Sequence, residues 1–318
     1  MRKLALISSL AATQAAGDFA LQMPVDCTLG DTCYIQQFLD HDPSRGTQDF
    51  MCGDLTYDGH KGTDFALASR ADQAAGVNVL AAADGTVMGV RNDMKDVLQT
   101  GPDAPDVSDR ECGNGIVIRH DGGYETQYCH LAQGSVTVMA GQQISAGDII
   151  GQIGLSGQTQ FPHLHLSLRK NGKPVDPFNT NGVQSCPDSD VPNLWQDDIP
   201  TPAGGIISIG MFDAVPSFDA VKAGTADTGV TSNSPAMVGW GQLFGVRVGD
   251  DVRVDITAPD GSSFGHTVDI TRDQARIFRA FGKRTPQGGW PAGLYRLDVT
   301  HRRDDTVLDH DSASYRVD

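Results

Sequence analysis

The sequence is short of positive charge. Only 24 Lys and Arg stand against 40 Asp and Glu, a net charge of −16 over 318 residues, which opposes any sequence-independent hold on a phosphate backbone or an anionic membrane surface. No apolar run approaches the roughly 18 to 20 residues of a membrane-spanning helix, and the longest one near the start is broken by Ser8 and Ser9. Nucleic acid and a membrane span are therefore set aside. The chain has no C-x-x-C pair, no G-x-S-x-G around Ser156 or Ser167, no D-x-D-x-D-G loop in its acidic runs and no H-E-x-x-H. Ribbon-type zinc sites, thioredoxin-like redox chemistry, a serine nucleophile, an EF-hand and the zincin arrangement go with them. No internal repeat links the two halves.

What is present begins with Arg2 and Lys3, the apolar segment Leu4 to Ala12 and the small residues of Thr13-Gln14-Ala15, the pattern of a secretory signal over residues 1–16. The cysteines agree with export. Cys27, Cys33, Cys52, Cys112, Cys129 and Cys186 are even in number and scattered, which suits disulfides in an oxidising periplasm or outside the cell. The close spacing of Cys27 and Cys33 suits a local bridge, and the remaining connectivity is open.

The pattern is mainly β. Between Pro24 and Pro177, short runs with alternating polarity and Gly or Asp-Gly punctuation predict antiparallel strands at Val77–Leu80, Gly85–Val90, Gly115–His120, Tyr124–Leu131, Gln142–Ser145, Ile149–Ile153 and His163–Arg169. Residues 92–113 read as a long surface loop that borders a cleft. A first domain over 24–185 is followed by a Pro-rich linker at 186–205. A second domain over 206–318 then has the strand spacing of a β-sandwich of immunoglobulin or fibronectin-like type.

Three clusters carry chemistry. In His60-Lys61-Gly62-Thr63-Asp64, His60 and Asp64 share a face and Gly62 allows a close backbone approach, a nitrogen and an oxygen ligand suited to zinc. In Pro162-His163-Leu164-His165-Leu166-Ser167-Leu168, a strand projects both histidines from one face and buries the leucines on the other. In Tyr128-Cys129-His130, alternation puts Tyr128 and His130 on one face and Cys129 on the other as a disulfide partner. His60, Asp64 and His165 together make three ligands with a fourth tetrahedral position left for water, the arrangement of a hydrolytic zinc site. Without a zincin glutamate, His163 or His130 must handle protons.

These motifs resemble those of the lysostaphin-type (LytM-like) zinc metalloendopeptidases. The similarity runs from Tyr57 to Pro177 and takes in His60 to Asp64, Val79 to Val87, Gly113 to His120, Tyr128 to Leu131, Gly141 to Gly151, Ser156-Gly157, Pro162 to His165 and Arg169 to Pro177. The resemblance implies Zn²⁺ held by His60, Asp64 and His165, and catalytic roles for His130 and His163. It also implies a peptidoglycan stem or cross-bridge peptide as substrate. Phe161 stands where a Gly is usual, Cys129 replaces a small residue, and 92–113 looks like an insertion, all bearing on cleft shape.

Two alternatives stand beside the peptidoglycan enzyme. One is a non-catalytic module of the same fold that binds the wall or regulates an amidase; the other is a zinc endopeptidase with a protein substrate. The second domain is a candidate for contacting the wall or a protein partner. Its Trp240 and Trp290 are read as core or turn anchors before glycan platforms. His41 and His120 sit at turn signals and are expected in solvent, while His266, His301 and His310 show no partner spacing.

Overall fold

A computed structural model describes residues 19–102, 104–183 and 191–318, so the expected signal segment and Cys186 lie outside the described residues. Strands dominate, as the alternation predicts. The first part contains β1 (Cys33–Gln37), β2 (Thr63–Leu67), α1 (Arg70–Ala75), β3 (Asn78–Leu80), β4 (Gly85–Arg91) and β5 (Asn114–Arg119). It continues with β6 (Tyr124–Leu131), β7 (Gln143–Ile144), β8 (Ile149–Gln152), β9 (His163–Lys170) and β10 (Lys173–Pro174). The main antiparallel sheet runs β1-β2-β9-β6-β5-β4-β7, with β10 added to β9, and β3 pairs with β8 beside it.

The period-2 pattern of β9 decides which face becomes core. Leu164, Leu166 and Leu168 are buried with Phe65, Leu67, Ile116, Ile118 and Tyr128. Each such side chain contributes about 1.5–3 kcal/mol. His163, His165, Ser167 and Arg169 consequently emerge on the other face. α1 is short, and Ser69 caps it by accepting from the Asp72 amide at 3.2 Å.

The second part contains β11 (Gly205–Phe212), α2 (Phe218–Ala223), β12 (Ala236–Val246), β13 (Asp251–Thr257) and β14 (Ser263–Asp269). β15 (Gln274–Arg284), β16 (Gly293–Arg303) and β17 (Thr306–Val317) complete it. Two sheets, β11-β12-β15 and β14-β13-β16-β17, face each other over one core that includes Met211, Met237 and Leu243 from the first and Val254, Leu297 and Val299 from the second. Trp240 and Trp290 are both buried, as expected of core residues, and Trp240 donates its indole N–H to the Ala226 carbonyl at 2.9 Å.

The two parts touch directly. Ile207 and Phe244 enter the first core, where the Phe244 ring lies 4.9 Å from that of Tyr34. Gln36 Nε2 donates to the Ala275 carbonyl at 2.8 Å, and Arg276 Nη2 donates to the Ala68 carbonyl at 2.6 Å. The face of the second part that bears β15 is thereby fixed beside β1 and β2.

The local Cys27–Cys33 bridge is present, Cys112 is joined to Cys129, and Cys52 is disulfide-bonded as well. Four expectations for histidines are corrected, one of them at His310, whose Nε2 lies 3.0 Å from Asp298 Oδ1 on the neighbouring strand. His41 is not solvated: its Nε2 lies 2.7 Å from Asp176 Oδ2, and both side chains are largely buried. His120 is buried between the Asp84 carbonyl and the Thr126 hydroxyl, each at 2.7 Å. His301 does have a partner, since the pairing of β16 with β13 in one sheet brings its Nε2 to 2.8 Å from Asp250 Oδ2. Each of these partners comes from another strand or segment of the chain, so local turn signals do not show them.

Candidate metal centre

Register creates the centre. β2 and β9 place Asp64 directly opposite His165 and Ala66 opposite His163. His165 Nδ1 lies 2.8 Å from Asp64 Oδ1, and His60 Nε2 lies 3.2 Å from the same oxygen and 3.1 Å from His165 Nδ1. Gly62 makes this approach possible, because a Cβ there would stand 2.6 Å from the Leu166 carbonyl oxygen and 2.7 Å from the His165 ring. The close approach expected of Gly62 is thus realised against His165 itself.

The donor set fits a cation. His60 Nδ1 lies 2.6 Å from the Phe38 carbonyl, which can only accept, so the imidazole proton sits there and the Nε2 lone pair faces inward. His165 likewise turns Nε2 to the Ser167 hydroxyl at 3.0 Å and Nδ1 inward. Lone pairs and a carboxylate oxygen that converge in a buried place repel unless a proton or a metal lies among them. Zinc bonds of about 2.0–2.2 Å put adjacent tetrahedral ligands roughly 3.3 Å apart, close to the observed separations. The outer contacts from Phe38 and Ser167 fix the ring orientations, as such partners do around metals.

Charge follows the same geometry. Burial alone would raise Asp64, but the surrounding imidazoles outweigh it and hold the carboxyl well below its usual range. Burial pulls His60 down, while the Asp64 charge and hydrogen bond carry it above its ordinary value.

His163 and His130 stand beside this trio. His163 Nδ1 is 3.0 Å from the Phe161 carbonyl and 3.1 Å from the Thr159 hydroxyl, and its Nε2 is 3.6 Å from Asp64 Oδ1. His130 donates through Nδ1 to the Ser156 carbonyl at 2.8 Å, which leaves Nε2 for the cleft. The two ring centroids are 4.7 Å apart. Burial lowers both histidines, His130 well below its ordinary value with further help from the nearby His163 and His165, so both rings are neutral at pH 7.

The facing expected around His130 is corrected. Tyr128 points into the core, and Cys129 lies opposite His165 in the register and so shares its face. His130 has φ 63°, a left-handed conformation that breaks alternation and swings the ring back toward His163. The backbone is held in that place: His130 N donates to the Cys112 carbonyl at 2.8 Å, and Gly154 N donates to the His130 carbonyl at 2.9 Å. The Cys112–Cys129 bridge ties the end of the 92–113 loop to the same point.

Four of the five side chains, Asp64, His130, His163 and His165, line a cleft of roughly 680 Å³, and His60 lies behind Asp64. Thr100 brings the 92–113 loop to this cleft, and that loop is tied down by Gln99 N donating to the Thr159 carbonyl at 2.7 Å. Phe161 stacks on His163 with centroids 4.4 Å apart. Sequence reasoning missed Tyr57, whose ring lies 4.5 Å from that of His60 at the cleft edge, and Thr159; neither sits in a spacing that singles it out.

Comparison with known proteins gives matches over the part of the chain that holds this centre. Residues 58–177 match the model of peptidase family M23. Peptidoglycan DD-endopeptidase ShyA of Vibrio cholerae is 35% identical over 122 residues, 38% of this chain and 23% of that protein. DD-carboxypeptidase/endopeptidase Mpg of Neisseria meningitidis is 43% identical over 67 residues, 21% of this chain and 15% of that protein. The chain thus spans less than a quarter of the length of these relatives. A crystal structure of a zinc-containing peptidase from Vibrio cholerae shares 25% identity over 54% of this chain and 41% of that one, with a TM-score of 0.32. Over residues 58–177, this chain is thus similar to peptidase family M23.

Proposed function

We propose that the protein is an exported zinc metalloendopeptidase that hydrolyses peptide cross-links of bacterial peptidoglycan. The observation that carries this reading is the convergence of His60, Asp64 and His165 on one point, with two further neutral imidazoles beside it at one cleft. The name of one relative, a peptidoglycan DD-endopeptidase, supports the substrate class, and that of another, a DD-carboxypeptidase/endopeptidase, supports the reaction. The disulfides support export to an oxidising compartment, the periplasm or beyond. The complete set of five side chains favours catalysis over a wall-binding or amidase-regulating module.

His60, Asp64 and His165 would hold the zinc. When bound there, zinc supplies Lewis acidity that polarises a carbonyl and acidifies water. The chain's own residues do the rest. His163, neutral and with Nδ1 committed to Phe161 and Thr159, accepts through Nε2 the proton of the attacking water as its oxygen bonds to the scissile carbon. That proton must finish on the amine when the C–N bond breaks: His163 Nε2 gives it up, directly or by way of the unprotonated Nε2 of His130, one ring away. Phe161 and Tyr57 flank the histidines and limit water access. Chelator-sensitive release of peptide fragments from purified peptidoglycan tests the reading.

A further inference from the structure

The family match ends at residue 177, yet the cleft does not end with it. Phe218 and Lys222 of α2 and Gln274, Ala275 and Arg276 of β15 form its far wall. Past Phe161 the cleft runs on into a recess of roughly 320 Å³, lined by Arg70, Lys222 and Arg276 together with Asp219. Three cations meet there in a protein whose net charge is −16.

Two of these cations have no carboxylate partner among the described residues. Arg276 reaches neutral groups: Nη2 donates to the Ala68 carbonyl, and Nε and Nη2 meet the Gln242 amide oxygen in its favoured orientation. This leaves Nη1, and the guanidinium lies 5.8 Å from the Phe161 ring centroid. Arg70, at the start of α1, forms no ion pair among the described residues either, although it is near enough to the Asp219 carboxylate to help hold it in its charged form. Lys222 pairs with Asp219 at 2.8 Å, but the Asp219 side chain is 84% exposed and so competes weakly for it. Charges gathered in a recess with apolar walls act more strongly than the same charges on an open surface. The stack Arg276–Phe161–His163 links this basic end to the reacting centre.

We propose that the second domain completes the substrate cleft, and that Arg70, Lys222 and Arg276 form a subsite for a free carboxylate of the peptide being cut. This rests on the endopeptidase reading above. A fork of guanidinium donors suits a carboxylate in particular, because two parallel N–H groups meet its two oxygens. The subsite would also orient the peptide, with the carboxylate end beyond Phe161 and the scissile bond over His163.

The test compares two synthetic cross-linked stem-peptide dimers, one with free carboxylates and one with the same groups amidated. The full zinc-loaded chain is expected to favour the free form by at least about tenfold in kcat/KM. In the Arg70→Gln/Lys222→Gln double variant that preference falls to near unity, whereas the charge control Lys173→Gln on β10 retains it. Calorimetric titration of both peptides into chelator-treated protein reads the subsite without turnover, and the same preference is expected there. Equal binding of the two peptides by wild type, or an unchanged preference in the double variant, overturns the subsite. If neither peptide is cleaved while the binding preference persists, the endopeptidase reading fails and the subsite stands.

Discussion

Asp64 and His165 stand opposite each other on β2 and β9, with His165 Nδ1 2.8 Å from Asp64 Oδ1. Neighbouring strands thus deliver two of the three converging donors, and the turn before β2 adds the third, His60. A site built on paired strands holds its geometry better than one built on loops. The variants below separate what holds the centre from what works beside it.

His165→Ala is expected to lose both bound metal and turnover. His163→Ala keeps about one equivalent of metal and loses turnover by roughly 10²–10⁴-fold, the usual range for a lost acid–base group. Metal content by mass spectrometry beside initial rates on a peptide substrate decides it. A His163→Ala protein with near-normal rate would remove that histidine from the chemistry.

Gly62→Ala is expected to weaken metal binding by more than tenfold. The added methyl would meet the Leu166 carbonyl oxygen, which is backbone and cannot swing away, and the His165 ring. Competition against a chromogenic zinc chelator measures the loss. Wild-type affinity in this variant would mean that the strand can shift without moving His165.

Replacing Cys112 and Cys129 together by Ala is expected to destabilise the fold by about 2–4 kcal/mol, since the bridge closes a loop of 17 residues. Turnover should fall further than metal affinity, because the bridge adjoins the left-handed His130 and not the metal-binding trio. Denaturant titration, metal content and rates on the double variant test the two halves of this statement.

Much of this arrangement was legible in the sequence. The alternation in His163-Leu164-His165-Leu166 gave β9 and its two faces, and the tight Gly62 between His60 and Asp64 gave their shared aim. The turn of His130 was not legible, because one left-handed residue reverses the facing that alternation implies. β1 and β2 went unmarked, β2 because it is buried along its whole length and shows no alternation. β17 went unmarked because its mixed charges line an exposed strand. The cationic wall from Lys222 and Arg276 depends on packing between distant segments, which no local pattern records.

Asp250 supplies a test of the stability of the second part of the chain. Burial alone would raise its pKa, but hydrogen bonds from Arg303, the Arg247 amide and His301 outweigh that and depress it. Its contribution is therefore present above the unfolded carboxyl value of about 3.9 and is lost as pH falls through the lower folded value. Asp250→Asn, which leaves Arg303 and His301 without their acid, should cost about 3–5 kcal/mol at pH 7. The gap between wild type and variant in denaturant titrations should hold between pH 7 and 5 and narrow below about pH 4.

The account turns on metal-dependent cleavage of wall peptides. The direct measurement is a digest of purified cross-linked peptidoglycan with the full chain, with and without a chelator, read by mass spectrometry of the released fragments. The account predicts cross-link cleavage products that vanish with chelator and return on adding zinc. Intact wall material from protein shown to carry zinc would contradict it, as would fragments released equally well with the metal removed.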